Sequence, residues 1–332
     1  MLPPLEVQHV QVDPEEIDSE TGDDGYYAAD SDSYATSLSS SVRDYKWCNG
    51  RRFHAYKEGS YRFPNDEQEQ RRLDMMHEVF TLSLEDRLFL APVPRNEAVR
   101  ILDIGTGTGI WAMEAADSLP LASRVIGNDL SPIQPSVVPP SVVFEIDDVE
   151  APWPPRKPFD LIHCRYMCGS VEDWPGLFRQ AYQQTNIGGW IEFQDFHLET
   201  YSQDGTLDED NGVKRFFEYL GEACDRINRP MNVGRHLKRY AEDAGFTNIQ
   251  HRVIPLPLGT WPKDKRLKTI GTINMLQFLE ALEACSYATF TQILGWTLDE
   301  VKDFLEKVRR DTLKKGVHIL HEIHIVYAQR LE

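Results

Sequence analysis

The sequence predicts an α/β fold built on a doubly wound sheet, and two observations carry this prediction. An apolar run from Ile101 to Ile104 ends in three glycines within five residues and is followed by a helix-compatible stretch. That order is typical of a strand, a tight turn and a helix. Further strand-and-turn units follow, up to a fifth strand from Trp190 to Phe196. Units of this kind assemble most economically as a parallel sheet with helices on both faces.

The glycine turn reads G-T-G-T-G over Gly105–Gly109. Glycine tolerates the tight turn and lets a ligand approach the backbone, and the helix N-terminus behind it offers unpaired N–H groups. A dinucleotide fingerprint, G-x-G-x-x-G, requires glycine at position 110, where this chain has Ile110. The spacing therefore argues against a pyrophosphate-binding turn. An ordinary βα turn without a ligand is the alternative.

Charge and length limit the function classes. A chain of 332 residues holds one large α/β domain with additions, or two small domains. The net charge is -18, and residues 1–42 carry ten acidic residues and no Lys or Arg. An acidic surface repels phosphate backbones, so we expect no nucleic acid partner.

The remaining composition argues against a membrane or metal protein. No apolar stretch approaches the ~20 residues of a membrane span, and the first residues lack the order of a signal peptide. The five cysteines are scattered and form no C-x-x-C pair, which indicates a reducing compartment and no zinc site. We expect a cytoplasmic protein, with the nucleus as the alternative.

Two segments precede the glycine turn. Residues 1–42 are rich in Asp, Glu and Ser and are expected to form a disordered acidic tail, either solubilising or a docking segment for a protein partner. Residues 43–98 are expected to form a lid. Aromatic and basic residues alternate in it from Tyr45 to Pro64, and a helix then begins with Asn65 as its N-cap. The apolar face of that helix is expected to pack in the core.

Acidic residues follow the second and third strands. The second strand ends at Asp129, and Asp147 and Asp148 follow the third, Val142 to Ile146. Ligands of open parallel sheets bind beyond the carboxyl ends of the strands, and an acid at such an end accepts ribose hydroxyls. We therefore expect Asp129 to hold a ribose, with a solvated loop aspartate as the alternative.

The fourth strand, Phe159 to Arg165, and the fifth supply candidates for chemistry. Arg165 leaves the fourth strand and is expected to anchor an acidic group. His197 leaves the fifth and is the first candidate for a general base, because its ordinary pKa lies near neutral. A structural role for His197 is the alternative.

Several motifs together resemble one family. They are D-I-G-T-G-T-G-I-W (103–111), N-D-L-S-P-I-Q-P (128–135), D-D-V-E-A-P-W (147–153), F-D-L-I-H-C-R (159–165), G-G-W-I-E (188–192), N-G-R-R-F-H-A-Y (49–56) and P-N-D-E-Q-E-Q-R-R-L-D (64–74). The turn, with Asp103 before it, looks like motif I of the class I S-adenosyl-L-methionine (SAM) methyltransferases. The whole set resembles the fungal LaeA-like methyltransferases over roughly residues 40 to 330.

The resemblance implies a Rossmann-like, seven-stranded sheet whose last strand is antiparallel, and an enzyme that converts SAM to S-adenosyl-L-homocysteine. In the family, the acid before the turn holds the amino group of SAM, and an acid after the third strand bonds the adenine. Asp148 fits the adenine role best, with Asp147 as the alternative. The residues expected to bind the cofactor are Asp103, Gly105, Thr106, Gly107, Gly109, Asn128, Asp129, Leu130, Asp147, Asp148, Val149, Cys164, Arg165, Tyr56 and Tyr61.

Residues 99–200 are thus expected to form the SAM-binding core, and residues 201–332 to complete the sheet and an acceptor pocket. The helical segment Lys265 to Gly316 is either one wall of that pocket or simple packing. We expect methyl transfer to O or N of a small metabolite. The alternatives are a nuclear regulator of secondary metabolism that works through partners, a protein methyltransferase, and a protein that uses SAM for a non-methylating reaction.

Overall fold

The computed structural model of the chain describes residues 7–14, 45–48, 50–53, 63–120 and 123–332. Most of the expected acidic tail lies outside the described residues, and so do Tyr56 and Tyr61. Within the described ranges, no helix is both long enough and apolar enough to cross a bilayer.

A seven-stranded sheet organises the chain. The strands are β1 Lys46–Cys48, β2 Arg51–Phe53, β3 Arg100–Ile104, β4 Arg124–Asp129, β5 Val142–Ile146, β6 Phe159–Arg165, β7 Thr185–Tyr201, β8 Thr247–Leu258 and β9 Ile319–Gln329. The order in the large sheet is β5-β4-β3-β6-β7-β9-β8, and β1 and β2 form a separate hairpin. β9 is antiparallel to both β7 and β8, whereas β3 to β7 pair in parallel. The predicted fold class is confirmed.

Successive side chains of a strand point to opposite faces of the sheet, and here apolar side chains cover both faces, as a doubly wound fold requires. Ile101 and Leu161 pack on one face with Trp111. Their neighbours Leu102 and Ile162 pack on the other face, in the larger core.

Seven helices flank the sheet in the described part of the chain. They are α1 Glu67–Ser83, α2 Ile110–Asp117, α3 Trp174–Gln184, α4 Gly212–Asp225, α5 Leu237–Ala244, α6 Lys265–Thr289 and α7 Leu298–Thr312. The segment expected to be helical from Lys265 to Gly316 is two helices. α6 continues into a π-helical turn, Phe290–Leu294, and stops at Gly295, whose φ is +80°. Thr297 and Glu300 then form a capping box that begins α7.

The start of α1 differs by one residue from the prediction. Asp66, not Asn65, is the N-cap, and its side chain accepts the N–H of Glu69. The reason lies in the hairpin: Arg51 pairs with the Asp66 carboxylate at 2.6 Å and holds it at the helix end. Asn65 points instead toward Ser131, at 3.3 Å, across the mouth of the cavity described below.

Residues 7–14 are ordered against the body, which departs from the expected disorder of residues 1–42. Val10 is buried with Trp261 and Leu320. The N–H of Asp13 donates to the carbonyl of Trp261 at 2.7 Å, and the N–H of Lys263 donates to that of Gln11 at 2.7 Å. The segment therefore pairs with the loop after β8 as a short additional strand would. It packs on an apolar surface of the body that the composition of residues 1–42 does not reveal.

Candidate functional site

A cavity of about 1170 Å³, its open mouth included, lies at the carboxyl ends of β3, β4, β5 and β6. The strand order reverses between β3 and β6, which is where open α/β sheets bind ligands. Many of the predicted cofactor residues line its wall: Asp103, Gly105, Thr106, Gly107, Asp129, Leu130, Asp147, Asp148, Val149 and Arg165. The acids that follow three different strands thus face a single space.

The glycine turn forms one side of this cavity. Gly105 and Gly107 have φ values of +66° and +57°, in the left-handed region that favours glycine. A Cβ added at Gly105 would lie 2.2 Å from the sulfur of Met167, whereas one at Gly107 would meet nothing nearer than Leu73, at 3.8 Å. The backbone at Gly107 is therefore open to a ligand.

Asp129 ties the glycine turn to the end of β4. Its Oδ2 accepts the N–H of Gly107 at 2.9 Å, and its Oδ1 accepts the N–H of Ser131 at 2.8 Å. A carboxylate carries two oxygens with two lone pairs each, so it can accept several hydrogen bonds at once. The geometry suits two neighbouring hydroxyls of a ribose.

Asp103 lies at the base of the cavity and is held by two donors. Thr106 Oγ1 donates to its Oδ2 at 2.6 Å, and His163 Nδ1 lies 2.7 Å from its Oδ1. The His163 ring stacks on Trp111 with centroids 3.6 Å apart. Burial lowers the pKa of His163, so its ring is neutral and donates from Nδ1. The carboxyl group of Asp103 is thus fixed in the cavity wall beside a neutral imidazole, where it can accept a hydrogen bond from a ligand.

Arg165 supplies a positive charge to the cavity wall. It donates to His77 Nδ1 at 2.8 Å, and Nε2 of His77 lies 3.0 Å from Glu114. Burial, together with the Arg165 charge, lowers the pKa of His77 to about 3, so His77 is neutral and donates to Glu114. Arg165 also lies 5.1 Å from the ring centroid of Phe80. Among the described residues no carboxylate pairs with Arg165, which leaves it free to bind an anionic group.

Three predicted cofactor residues lie behind the wall, not in it. A Cβ at Gly109 would lie 2.3 Å from the ring of Phe144, so Gly109 serves close packing. The carbonyl of Asn128 accepts the N–H of Thr106 at 2.9 Å, and Cys164 is 1% exposed in the core. These residues shape the turn and the sheet without facing the cavity.

The structure does not place His197 in the cavity. β7 runs on to Tyr201, so His197 is a strand residue whose neighbours Phe196 and Leu198 face the interior on the other side. Its Nε2 lies 3.5 Å from Glu199, and its ring lies 5.9 Å from that of His324. This geometry corrects the prediction that His197 acts as the general base, because His197 lines neither this cavity nor the one described below.

His197 has a predictable effect on stability instead. Burial, with the Arg235 charge, lowers its pKa to about 4, against about 6.5 in an unfolded chain. Between those values the unfolded state binds a proton that the folded state does not, so acid destabilises the fold. We expect His197→Gln to recover about 2 kcal/mol at most of the stability lost between pH 7 and pH 5. Urea unfolding at both pH values measures this, and an equal loss in both proteins would contradict it.

α1 contributes residues to the cavity that the sequence reading assigned to the core. Leu73 and Met76 line the wall beside His77. Asp74 accepts a hydrogen bond from Thr108 at 2.7 Å, which fixes the helix over the glycine turn. No local pattern separates an apolar side chain that faces a cavity from one that packs in a core.

A second cavity, of about 780 Å³ with its opening included, adjoins the first. Leu73, Met76, Tyr166 and Ser170 line both. Its remaining wall is largely apolar and comes from β7, α4, β8 and α6: Phe196, Leu198, Phe216, Phe217, Leu220, Leu256, Leu258, Phe278 and Ala281. A second chamber therefore opens beside the first, at the loop that leaves β6, and the polar side chains of Arg72, Asn274, Gln277 and His321 share its wall with the apolar ones.

Comparison with known proteins gives the family. The sequence profile described as "Methyltransferase domain" matches residues 67–251. Methyltransferase pytC of Aspergillus terreus is 47% identical over 302 residues, which cover 91% of this chain and 93% of that protein. The chain belongs to the methyltransferase-domain family.

Other relatives of this methyltransferase are described as regulators. Secondary metabolism regulator LAE1 of Cochliobolus heterostrophus is 38% identical over 85% of this chain and 94% of that protein. Secondary metabolism regulator laeA of Aspergillus flavus is 38% identical over 85% of this chain and 76% of that protein. The resemblance to LaeA-like proteins is thereby confirmed.

The residues of the first cavity fit SAM as the methyl donor. SAM consists of an adenosine, a sulfonium centre and an amino acid end that carries both charges. The five residues predicted for these parts of SAM all line this cavity: Asp103, Asp129, Asp148, Val149 and Arg165. Among the described residues, no group of three or more His, Cys, Asp or Glu side chains could hold a metal ion.

Proposed function

We propose that this methyltransferase transfers a methyl group from SAM, bound in the first cavity, to O or N of a small molecule in the second. The observation that carries the proposal is the shared wall of the two cavities at Leu73, Met76, Tyr166 and Ser170. A methyl donor and an acceptor in adjoining spaces satisfy the main requirement of the reaction, which is alignment of the two reacting atoms.

The sulfonium of SAM supplies an activated methyl group, so the protein's task is to position both molecules and exclude water. Asp129 would fix the adenosine beside the open backbone at Gly107, and Asp103 and Arg165 would fix the amino acid end. Leu73 and Met76 of α1 contribute apolar side chains to the junction. Water that reached the junction would compete with the acceptor for the methyl group.

The size and character of the second cavity favour a small acceptor over a protein. A peptide substrate would need an open groove with acidic walls, whereas this wall is mostly aromatic and aliphatic. A regulatory role through partner proteins is the second candidate, because relatives at 38% identity are described as regulators of secondary metabolism.

Incubation with SAM labelled in its methyl group and a fungal culture extract tests the proposal. We expect label in the solvent-extractable small-molecule fraction. The control is Gly107→Asp, because a side chain at that position would project into the space that SAM needs. Label confined to protein, or equal label with the control variant, would contradict the proposal.

A further inference from the structure

Tyr166 lies where the two cavities meet, in a conformation that the fold enforces. Its φ is +56°, which is rare for a large side chain and costs free energy. The N–H of Tyr166 donates to the carbonyl of Gln194 at 3.0 Å. The next N–H, of Met167, donates to the buried carboxylate of Asp195 at 2.8 Å. These two bonds direct the phenol ring to the junction.

A buried arginine fixes the orientation of the Tyr166 hydroxyl. Arg72 pairs with both oxygens of Glu69, at 2.9 and 2.7 Å. Its Nη1 donates to the hydroxyl of Tyr166 at 3.1 Å and to Oε1 of Gln277 at 2.9 Å. A guanidinium can only donate, so the Tyr166 oxygen is the acceptor in this contact. The hydroxyl hydrogen of Tyr166 has no acceptor among the described residues and can be donated to a ligand.

No strongly basic side chain that could accept a proton is found among the described residues of the second cavity wall. Its described wall contains Arg72 but no Asp or Glu. The wall does contain His321, whose Nε2 lies 2.9 Å from the Thr200 hydroxyl. Burial lowers the pKa of His321 to about 3, so this imidazole holds an abstracted proton poorly. Burial raises the pKa of the Cys285 thiol to about 12, which keeps it protonated.

We infer that the acceptor is an acidic oxygen compound on an apolar body, a carboxylic acid or a comparably acidic enol, whose oxygen accepts a hydrogen bond from Tyr166. The inference rests on the proposed function and narrows its acceptor class. Such a compound enters already ionised, so no protein group has to remove a proton. A lone pair of its oxygen forms the O–CH3 bond while the S–CH3 bond breaks and leaves its electron pair on sulfur. The products are a neutral ester or enol ether and a neutral thioether.

An amine acceptor fits the same wall less well. A protonated amine must lose a proton before it attacks, and the described wall offers no carboxylate to take it. A tertiary amine would become a cation in a chamber whose described wall offers no carboxylate as a counter-charge. The hydroxyl of Tyr166 can donate its hydrogen to a negative group at the same point, and a hydrogen bond to a charged acceptor is stronger than one to a neutral acceptor.

Binding of three matched probes tests the inference. Naphthoate, naphthamide and naphthylmethylammonium share one apolar body and differ in the charge of the polar group. Calorimetry with enzyme saturated with S-adenosyl-L-homocysteine is expected to show naphthoate binding about tenfold or more tighter than naphthamide, and naphthylmethylammonium weakest. Tyr166→Phe is expected to lose about tenfold in naphthoate affinity and little in naphthamide affinity.

Tyr219→Phe is the matched control, because Tyr219 also accepts a bond from an arginine, Arg215, at 3.1 Å but lines neither cavity. It should bind all probes as the parent does. Tighter binding of the ammonium probe, no binding of naphthoate, or an unchanged Tyr166→Phe would overturn the inference. If the proposed function itself were wrong, S-adenosyl-L-homocysteine would not bind in the same titration. That result differs from those that would overturn only the inference about the acceptor.

Discussion

Replacing Asp129 with alanine is expected to weaken SAM binding about 100-fold or more. The carboxylate accepts the N–H groups of Gly107 and Ser131 at 2.9 and 2.8 Å, so its loss frees both the glycine turn and the turn after β4. It also removes the acceptors for the ribose hydroxyls. Bonds to a charged group contribute about 1.5 to 3 kcal/mol each, and two of them exceed a factor of 100. Isothermal calorimetry with SAM measures the loss.

The matched control for this prediction is Asp160→Ala. Asp160 also bridges two segments, accepting bonds from the N–H of Arg100 and the side chain of Asn186 at 2.8 and 2.6 Å. It lies near the start of β6, at the other end of the strand from the cavity. Asp160→Ala should therefore lower stability and leave SAM affinity unchanged. Equal loss of affinity in both variants would show that the effect of Asp129 is one of stability alone.

Glu69→Ala is expected to have the largest effect on stability, about 3 to 5 kcal/mol in the free energy of unfolding. Glu69 is 1% exposed and Arg72 is 3% exposed, so the alanine leaves a buried guanidinium without its counter-charge. The loss would also release the Arg72 contact with Tyr166 at the junction of the cavities. Urea denaturation of the variant and the parent protein gives the difference directly.

Two further variants separate charge from packing at this position. Glu67→Ala removes a carboxylate two residues away that pairs with Arg52 but is 68% exposed, and it should cost less than about 1 kcal/mol. Replacing Glu69 by Leu together with Arg72 by Met removes both charges and should recover most of the lost stability. If the double variant were as unstable as Glu69→Ala, the loss would come from packing and not from the unpaired charge.

The sequence was sufficient for the parts of the site that depend on local order. Strand, glycine turn and helix follow one another directly in the chain, and Asp103, Asp129 and Asp148 each stand at the end of a recognisable strand. Because parallel strands end at one edge, these acids had to meet once the strands were correctly identified. The cavity wall contains all three.

The parts that could not be predicted depend on contacts between distant segments. Arg165 meets His77 across 88 residues of sequence, and Arg72 meets Gln277 across 205. No periodicity or motif encodes such pairs. His197 was misplaced for another reason: the apolar pattern of β7 weakens after Phe196, yet pairing with β9 carries the strand to Tyr201. A strand's length is set by its partner as much as by its own residues.

The position of β9 has a consequence for biosynthesis. β9 is the last strand in the chain, yet it lies between β7 and β8, with both of which it pairs over much of its length. Until residues 319–329 have been synthesised, β7 lacks a strand on one edge, and β8 lacks the one strand with which it pairs among the described residues. Such edges attract other chains. Nascent chains on the same mRNA can therefore aggregate through these unpaired strand edges. A premature stop codon before residue 319 would leave the edges of β7 and β8 permanently unpaired.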